Sequence, residues 1–185
     1  MFEKLVMAVL LLVTLGLFGR RMVMLLGYLK LGAADDRLPK NWGRKLKEQL
    51  VVVLGQRKLL QWTLPGLMHF FIFWGFVVLF TTIVEAFGAV FQEGFHIPII
   101  GQWGPLGAIQ DFFVAAVLLG VATAFYIRRV HNPGRFRGSH TRDAEYILYA
   151  ITGIMLTILA TRGAEISLGH FPYDTTWTPL SNLTA

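Results

Sequence analysis

The chain has 185 residues, of which 55% are hydrophobic and only 15% charged, and its formal net charge is +6. A soluble domain of this composition would expose large apolar patches, so we expect a membrane protein. The chain contains no cysteine, which excludes disulfides, zinc–thiolate sites and iron–sulfur clusters within it.

Four apolar stretches approach the roughly 20 residues that a helix needs to cross a bilayer. They predict an all-α membrane protein, a bundle of about four transmembrane helices, with spans at about 3–21, 62–87, 106–127 and 144–163. The first stretch is not typical of a signal peptide. Glu3 and Lys4 add no net charge before it, and two arginines follow it in place of a small-residue cleavage site.

The basic residues predict the orientation of this bundle. The segment between the first two spans and the segment after the third contain 15 of the 17 lysines and arginines. The positive-inside rule then places both basic loops in the cytoplasm and the N-terminus outside. Because membrane topology accounts for the positive charge of the chain, we expect membrane lipid as a partner and no nucleic acid.

Two segments outside the spans also carry a pattern. Residues 41–62 alternate basic and apolar residues and end at Trp62, which is typical of an interfacial cytoplasmic helix or of a basic loop held at the lipid surface. Residues 1–163 thus make up a transmembrane domain. Residues 164–185 are expected to form an extracytoplasmic tail that leads to a further span beyond this chain.

The stretch LPGLMHFFIFWGF, residues 64–76, places one histidine, His69, in a run that is free of charged residues from Leu59 to Val84. His69 is about seven residues into the second span, roughly 10 Å below the cytoplasmic surface. Its nitrogens need partners at that depth. A neighbouring helix, a proton pathway, or a haem iron with the other nitrogen bonded to a carbonyl would each satisfy this need.

The surroundings of His69 suit a haem. Five aromatic residues cluster around it in the sequence, while Gly66 and Gly75 leave one side of the helix thin enough to approach a flat macrocycle. Arg128 and Arg129 at the cytoplasmic boundary are candidates for pairing with haem propionates, or they serve topology alone. In the third span a similar row of small residues also suits plain helix packing; it comprises Ala116, Gly120 and Ala124.

A second axial ligand is less evident, because no other histidine lies inside a predicted span. His140 lies just before the fourth span, on the same side as the basic loops. It is the candidate second iron ligand, and the alternative is an ordinary residue at a helix start.

Three stretches together carry a family resemblance: GQRKLLQWTLPGLMHFFIFWGF, FHIPIIGQWGPLGAIQDFF and FRGSHTRDAEYIL. From about Gly55 through Gly163 the chain resembles the N-terminal membrane region of bacterial heterodisulfide-reductase-like iron–sulfur reductases. That region is similar to the nitrate reductase gamma subunit, a quinone-reactive b-haem module. In the most similar version, a cytoplasmic iron–sulfur portion follows, and electrons pass from electron-transfer flavoprotein to the quinone pool.

The resemblance implies a haem ligand at His69 and a location in the bacterial cell (inner) membrane. The gamma subunit has two histidines on this span, whereas Leu59 and Leu79 stand ten residues either side of His69 here. One haem b at most is therefore implied. The family's partner histidine lies on a later span, so the chain is expected to be the leading part of a larger protein or a split subunit. Iron–sulfur clusters are expected only in a partner or a further region.

A quinone site has candidates near the extracytoplasmic surface. Asp111 and His96 could supply the proton acceptor and hydrogen-bonding groups that a quinol needs beside an apolar slot. Asp111 has an alternative role as a charge near a helix N-terminus, and a site on the cytoplasmic side is equally consistent with the sequence.

The predicted function is a b-haem membrane subunit that passes electrons between cytoplasmic iron–sulfur clusters and the membrane quinone pool. It would be the membrane part of an oxidoreductase and not a complete enzyme alone. The alternative is a non-redox membrane anchor or assembly subunit that docks a soluble partner. A transporter fits less well, because no broken-helix repeat is visible.

Overall fold

A computed structural model describes residues 2–32, 41–131, 134 and 141–185. Within these ranges the chain is helical and contains no strand. The candidate ligand His140 lies outside the described residues, as do four of the basic residues used to predict the orientation, Arg37, Lys40, Arg135 and Arg137.

Four helices are long and apolar enough to cross a membrane, which confirms the predicted fold class. They are α1 (Phe2–Leu29), α3 (Thr63–Phe91), α4 (Gly104–Tyr126) and α5 (Thr141–Ser167). α1 continues past its two arginines, because the residues that follow them are apolar and favour helix. Short π-helical segments, Leu50–Leu54 and Ile127–His131, follow α2 (Trp42–Gln49) and α4 respectively.

The segment predicted to be an interfacial helix contains α2 (Trp42–Gln49), whose N-cap Asn41 accepts a hydrogen bond from the Arg44 N–H. Trp42 is 81% exposed and lies beside the Lys45 ammonium. After the π-helical segment, residues 55–62 turn back toward the start of α3. This turning segment lies beside His69.

α4 lies at the centre of the bundle and packs against both α3 and α5. Gly75 of α3 faces Val117 of α4, and Gly120 of α4 faces Ile72, so small residues let the two backbones approach closely. The buried core continues from α4 onto one side of α5, and it includes Leu79, Val114, Val121, Leu148, Met155 and Leu159.

α1 differs from the other three long helices, because none of its residues is buried. One contact with the bundle lies at its first turn, where Lys4 Nζ donates a hydrogen bond of 2.9 Å to the Phe91 carbonyl oxygen. Nearly the whole length of α1 is therefore available to lipid or to another protein.

The tail after α5 folds back onto the bundle and ends in the short α6 (Pro179–Asn182). The Tyr173 ring lies against Gly107 of α4, at a place where any larger residue would collide with it. Thr184 Oγ1 donates to the Leu159 carbonyl oxygen at 3.0 Å. The tail thus covers the ends of α4 and α5.

Candidate functional site

The bundle has two ends with different polar groups. The His69 end contains the amino terminus of α3 and the carboxyl terminus of α4, which run antiparallel. The tail end is the opposite one, where residues 168–185 pack over α4 and α5. The predicted haem residues fall at the first end and the predicted quinone residues at the second.

At the His69 end the imidazole is held by an amide. His69 Nδ1 lies 3.1 Å from Gln56 Oε1. An amide oxygen only accepts hydrogen bonds, so this contact suits the neutral tautomer with its hydrogen on Nδ1, which leaves the lone pair on Nε2. The Gln56 residue is only 2% exposed, whereas His69 is exposed. The ring is therefore anchored from the protein side and open on the other.

The turn that presents Gln56 depends on an uncommon backbone conformation. Gln56 has φ of +48°, in the left-handed region that non-glycine residues rarely adopt. Its carbonyl oxygen accepts hydrogen bonds from the N–H groups of Leu59 and Leu60, at 2.9 and 3.0 Å. This strained turn directs the amide toward α3, and such strain is often found at functional positions.

Two further contacts fix this turning segment on α3. Trp74 Nε1 donates to the Leu54 carbonyl oxygen at 3.1 Å. Gly66 lies against the backbone of Leu59 and Leu60, where a Cβ would overlap the Leu59 carbonyl oxygen. The thin side predicted at Gly66 therefore faces the protein's own backbone, and the one at Gly75 faces α4.

His69 lines a shallow cleft of about 340 Å³. Its walls are almost wholly apolar and come from the turning segment and the first two turns of α3, namely Leu59, Trp62, Pro65, Gly66 and Met68. The nearby aromatic rings pack on one another, with Phe71 reaching Phe112 of α4 at a centroid distance of 6.3 Å. The cleft thus offers one imidazole nitrogen in an apolar setting.

The two arginines predicted to pair with propionates lie at the same end. Gly120 faces the Met68 carbonyl oxygen, so Arg128 is about 12 Å further along α4 toward the surface at 1.5 Å per residue. Arg129 Nη2 donates to Glu145 Oε2 at 3.0 Å and to the Tyr149 hydroxyl at 3.1 Å. The Arg129 guanidinium therefore already joins the π-helical segment after α4 to α5.

None of the other described histidines lies at the depth of His69. His131 is at the same end but belongs to the segment that continues α4, roughly 16 Å beyond Gly120 along the helix. His96 and His170 lie at the tail end, where both interact electrostatically with Glu165. The described residues contain no group of three or more His, Cys, Asp or Glu that could hold a metal ion.

At the tail end, Asp111 binds the tail. Its Oδ2 accepts the Leu180 N–H at 2.7 Å, and its Oδ1 accepts the N–H of Ser181 at 2.9 Å together with the Ser181 hydroxyl. Asp111 is only 3% exposed. Its carboxylate thus balances the N–H groups at the start of α6, a charge-assisted arrangement.

His96, the other predicted quinone residue, is half-buried in the loop before α4. It lies near Glu85 of α3, whose Oε1 accepts the Ile97 N–H at 3.3 Å. The structure therefore brings Asp111 and His96 to the same end of the bundle.

Sequence reasoning missed a buried arginine at this end, which is one of the two basic residues outside the two basic loops. Arg162 is 3% exposed, and its Nη2 donates to Gln110 Oε1. Gln110 Nε2 in turn donates to Thr81 Oγ1 at 2.8 Å, so one polar chain links α5, α4 and α3. In the sequence, Arg162 stands out only as a charged residue near the end of an apolar run, three residues before Glu165.

Tyr173 completes the tail-end cluster. Burial, reinforced by the negative charge of Glu85, raises the pKa of the Tyr173 hydroxyl to about 12. Next to it, Asp174 is exposed, and hydrogen bonds from the Thr176 N–H and hydroxyl lower the pKa of its carboxyl group. The Tyr173 hydroxyl therefore stays protonated at neutral pH.

Comparison with known proteins gives one relative of low identity. The chain is 26% identical over 145 residues to the "Probable iron-sulfur-binding oxidoreductase FadF" of Bacillus subtilis (strain 168). The match covers 76% of this chain but 20% of that protein, so the chain spans about a fifth of its relative's length. No family model matches the chain, and no solved structure matches it.

Proposed function

We propose that the chain is the haem-bearing membrane portion of an electron-transfer oxidoreductase, with His69 as an axial ligand of one b-type haem. The observation that carries the proposal is the hydrogen bond between His69 Nδ1 and the buried amide oxygen of Gln56. Histidines that bind metals commonly donate their other ring N–H to an oxygen in this way, which fixes the tautomer and the ring plane.

The residues at the His69 end fit such a group. In the tautomer with its hydrogen on Nδ1, Nε2 has the lone pair for a metal. The cleft around it is apolar, and the half-buried Arg128 and the salt-bridged Arg129 lie further along at the same end. When bound, the haem would supply one-electron redox chemistry. The chain's own contribution is to orient the imidazole and to supply positive charge for the propionates.

The relative and the cysteine-free sequence together support the rest of the assignment. A protein named for iron–sulfur binding and oxidoreductase activity shares this region, whereas this chain has no cysteine to hold a cluster. We place the clusters in a cytoplasmic partner or further region, with electron-transfer flavoprotein as a candidate donor and a membrane quinone as the acceptor. The location is the bacterial cell (inner) membrane, with the basic loops inside.

The test is a reduced-minus-oxidised absorption spectrum of the protein expressed in membranes together with its iron–sulfur partner region. We expect b-type Soret and α bands in the parent protein and their loss in His69→Ala. His170→Ala is the matched control, because His170 is exposed at the tail end, and it should keep the bands. Absence of the bands from the parent protein would contradict the proposal and favour the non-redox anchor.

A further inference from the structure

Residues 42–62, here called the basic segment, lead into α3 and carry an excess of positive charge. The basic segment contains five lysines and arginines but one acid, Glu48. Glu48 Oε1 is already paired with Arg44 Nε of the same helix at 3.0 Å. Four cations of the basic segment therefore have no acidic partner within it.

α2, the first helix of the basic segment, presents an apolar stripe. Trp42, Leu46 and Leu50 follow one another at intervals of four residues, which places them on one face of the helix. All three are exposed in the described chain. Arg44 and Glu48 lie on the other face at 100° per residue. A basic helix with an uncovered apolar face is typical of a segment that lies in the headgroup region of a membrane.

The apolar stripe ends at an open cavity of about 550 Å³. Leu50 belongs to both, and Val51 and Leu60 extend the apolar wall of the cavity. Arg57 is the one charged residue that lines it. Within the described ranges its guanidinium forms no ion pair. The cavity thus combines apolar walls with one cation that can receive an anionic group.

Contacts with α3 place this cavity beside the membrane-spanning part of the chain. The Leu54 carbonyl oxygen accepts a hydrogen bond from Trp74 Nε1. Leu59 and Leu60, further along the segment, lie against Gly66. From Gly66 to Trp74 the axis of α3 advances by roughly 12 Å. Since α3 is long enough to cross a membrane, its first turns lie where lipid headgroups give way to acyl chains, and the cavity lies alongside them.

We propose that this cavity binds an anionic phospholipid, with Arg57 on its phosphate group and the apolar stripe of Trp42, Leu46 and Leu50 along its acyl chains. An arginine guanidinium matches the oxygens of a phosphate in charge and in geometry. An acidic soluble protein would match the charge but would not reach a cavity beside the first turns of a membrane helix. The proposal rests on the basic segment and does not depend on haem at His69.

The test is native mass spectrometry of the full chain in detergent, titrated with phosphatidylglycerol and separately with phosphatidylcholine of the same acyl chains. We expect one phosphatidylglycerol to bind about tenfold more tightly than phosphatidylcholine, because the basic segment repels the choline cation. Arg57→Gln should weaken phosphatidylglycerol binding by about tenfold, the effect of losing a hydrogen-bonded contact to a charged group.

Arg44→Gln is the matched control, because it removes the same charge from the same segment, on the face opposite the apolar stripe. It should bind phosphatidylglycerol like the parent. Equal weakening in Arg44→Gln and Arg57→Gln would mean that diffuse charge attracts the lipid, and it would overturn the site. Equal affinity in Arg57→Gln and the parent would also overturn it and would leave the basic segment as a surface for an acidic soluble partner.

A second variant tests the apolar half of the site. Leu46→Gln shortens the apolar stripe at an exposed position, and we expect it to weaken the binding of both lipids about fivefold. Unchanged affinity there would show that the stripe does not hold acyl chains and would contradict the proposal. Neither variant should disturb the fold: Arg57 is also exposed, and its backbone N–H, which donates to the Val51 carbonyl oxygen at 3.4 Å, is kept.

Inorganic phosphate distinguishes a lipid site from a site for a small anion. A hundredfold excess of phosphate over lipid should leave the phosphatidylglycerol adduct in place, because free phosphate makes no contact with the apolar stripe. Displacement of the lipid by phosphate would assign the cavity to small anions and overturn the proposal.

Discussion

The two ends of the bundle differ in how their polar groups are buried and hydrogen-bonded. At the tail end, Arg162, Gln110 and Asp111 are all at most 3% exposed and form hydrogen bonds that join three helices and the tail. At the His69 end, one buried amide, from Gln56, holds one exposed imidazole. The first arrangement covers one end of the bundle with the chain's own tail. The second leaves the oriented side chain of His69 exposed.

The two ends therefore differ in how far the chain's own atoms satisfy their polar groups. The oriented imidazole of His69, beside a shallow apolar cleft, is the chain's contribution to the proposed haem site. At the tail end, the hydrogen bonds of the described residues satisfy most polar side chains internally.

The largest effect is expected from Asp111→Ala, which removes the acceptor for three donors of α6. Hydrogen bonds to charged groups contribute about 1.5–3 kcal/mol each and are not additive. We expect the free energy of unfolding in detergent to fall by about 3 kcal/mol and the tail to become accessible to protease.

The control is Asp174→Ala, since Asp174 is exposed and bonds only within its own turn. It should leave proteolysis of α6 unchanged. If Asp111→Ala is no more sensitive to protease than Asp174→Ala, then the tail does not close this end through Asp111, and the contrast between the two ends is broken.

A smaller effect is expected at the His69 end from Gln56→Asn. Asparagine tolerates a positive φ well and keeps the amide, but its side chain is one methylene shorter and cannot reach Nδ1. Loss of such a supporting partner typically lowers metal affinity 10–100-fold. Haem dissociation to an apo-haem acceptor protein should become faster by a comparable factor.

Gln61→Asn is the matched control, because Gln61 is an exposed glutamine in the same turning segment, and it should retain haem like the parent. Equal retention in Gln56→Asn and Gln61→Asn would mean that the buried amide does not support the ligand. In that case Gln56 would be a packing residue only.

The sequence predicts the helices well because length and hydropathy are properties of continuous segments. Four runs near 20 apolar residues are enough to predict four long helices, and all four occur. For the row of Ala116, Gly120 and Ala124, helix packing was one of the two interpretations of the sequence. The structure agrees with it, because these residues are buried in the bundle and Gly120 lies against α3.

The local partners at both ends could not be predicted, because they come from segments distant in sequence. The partner of His69 is 13 residues upstream across a turn with a positive φ at Gln56, and no glycine or asparagine at that position signalled the turn. Asp111 meets α6 across 69 and 70 residues. Its predicted proximity to a helix start concerned α4, whereas the start that it binds belongs to α6.

The smallest effect concerns the alkaline stability of the tail end. The pKa of Tyr173 is raised to about 12 in the folded protein and is about 10 in an unfolded chain. Folding therefore favours the protonated hydroxyl, so this contribution to stability is fully present below pH 10 and is lost as the pH rises toward 12. From pH 9 to pH 11 the loss should be about 1 kcal/mol.

The measurement is the difference in unfolding free energy between the parent protein and Tyr173→Phe at pH 9 and pH 11, because other titrating groups cancel between the two. We expect the parent to lose stability relative to Tyr173→Phe over this range. An unchanged difference would mean that the Tyr173 hydroxyl ionises as readily in the folded state as in water. The tail end would then be as open to solvent as the His69 end, and the contrast between the two ends would be lost.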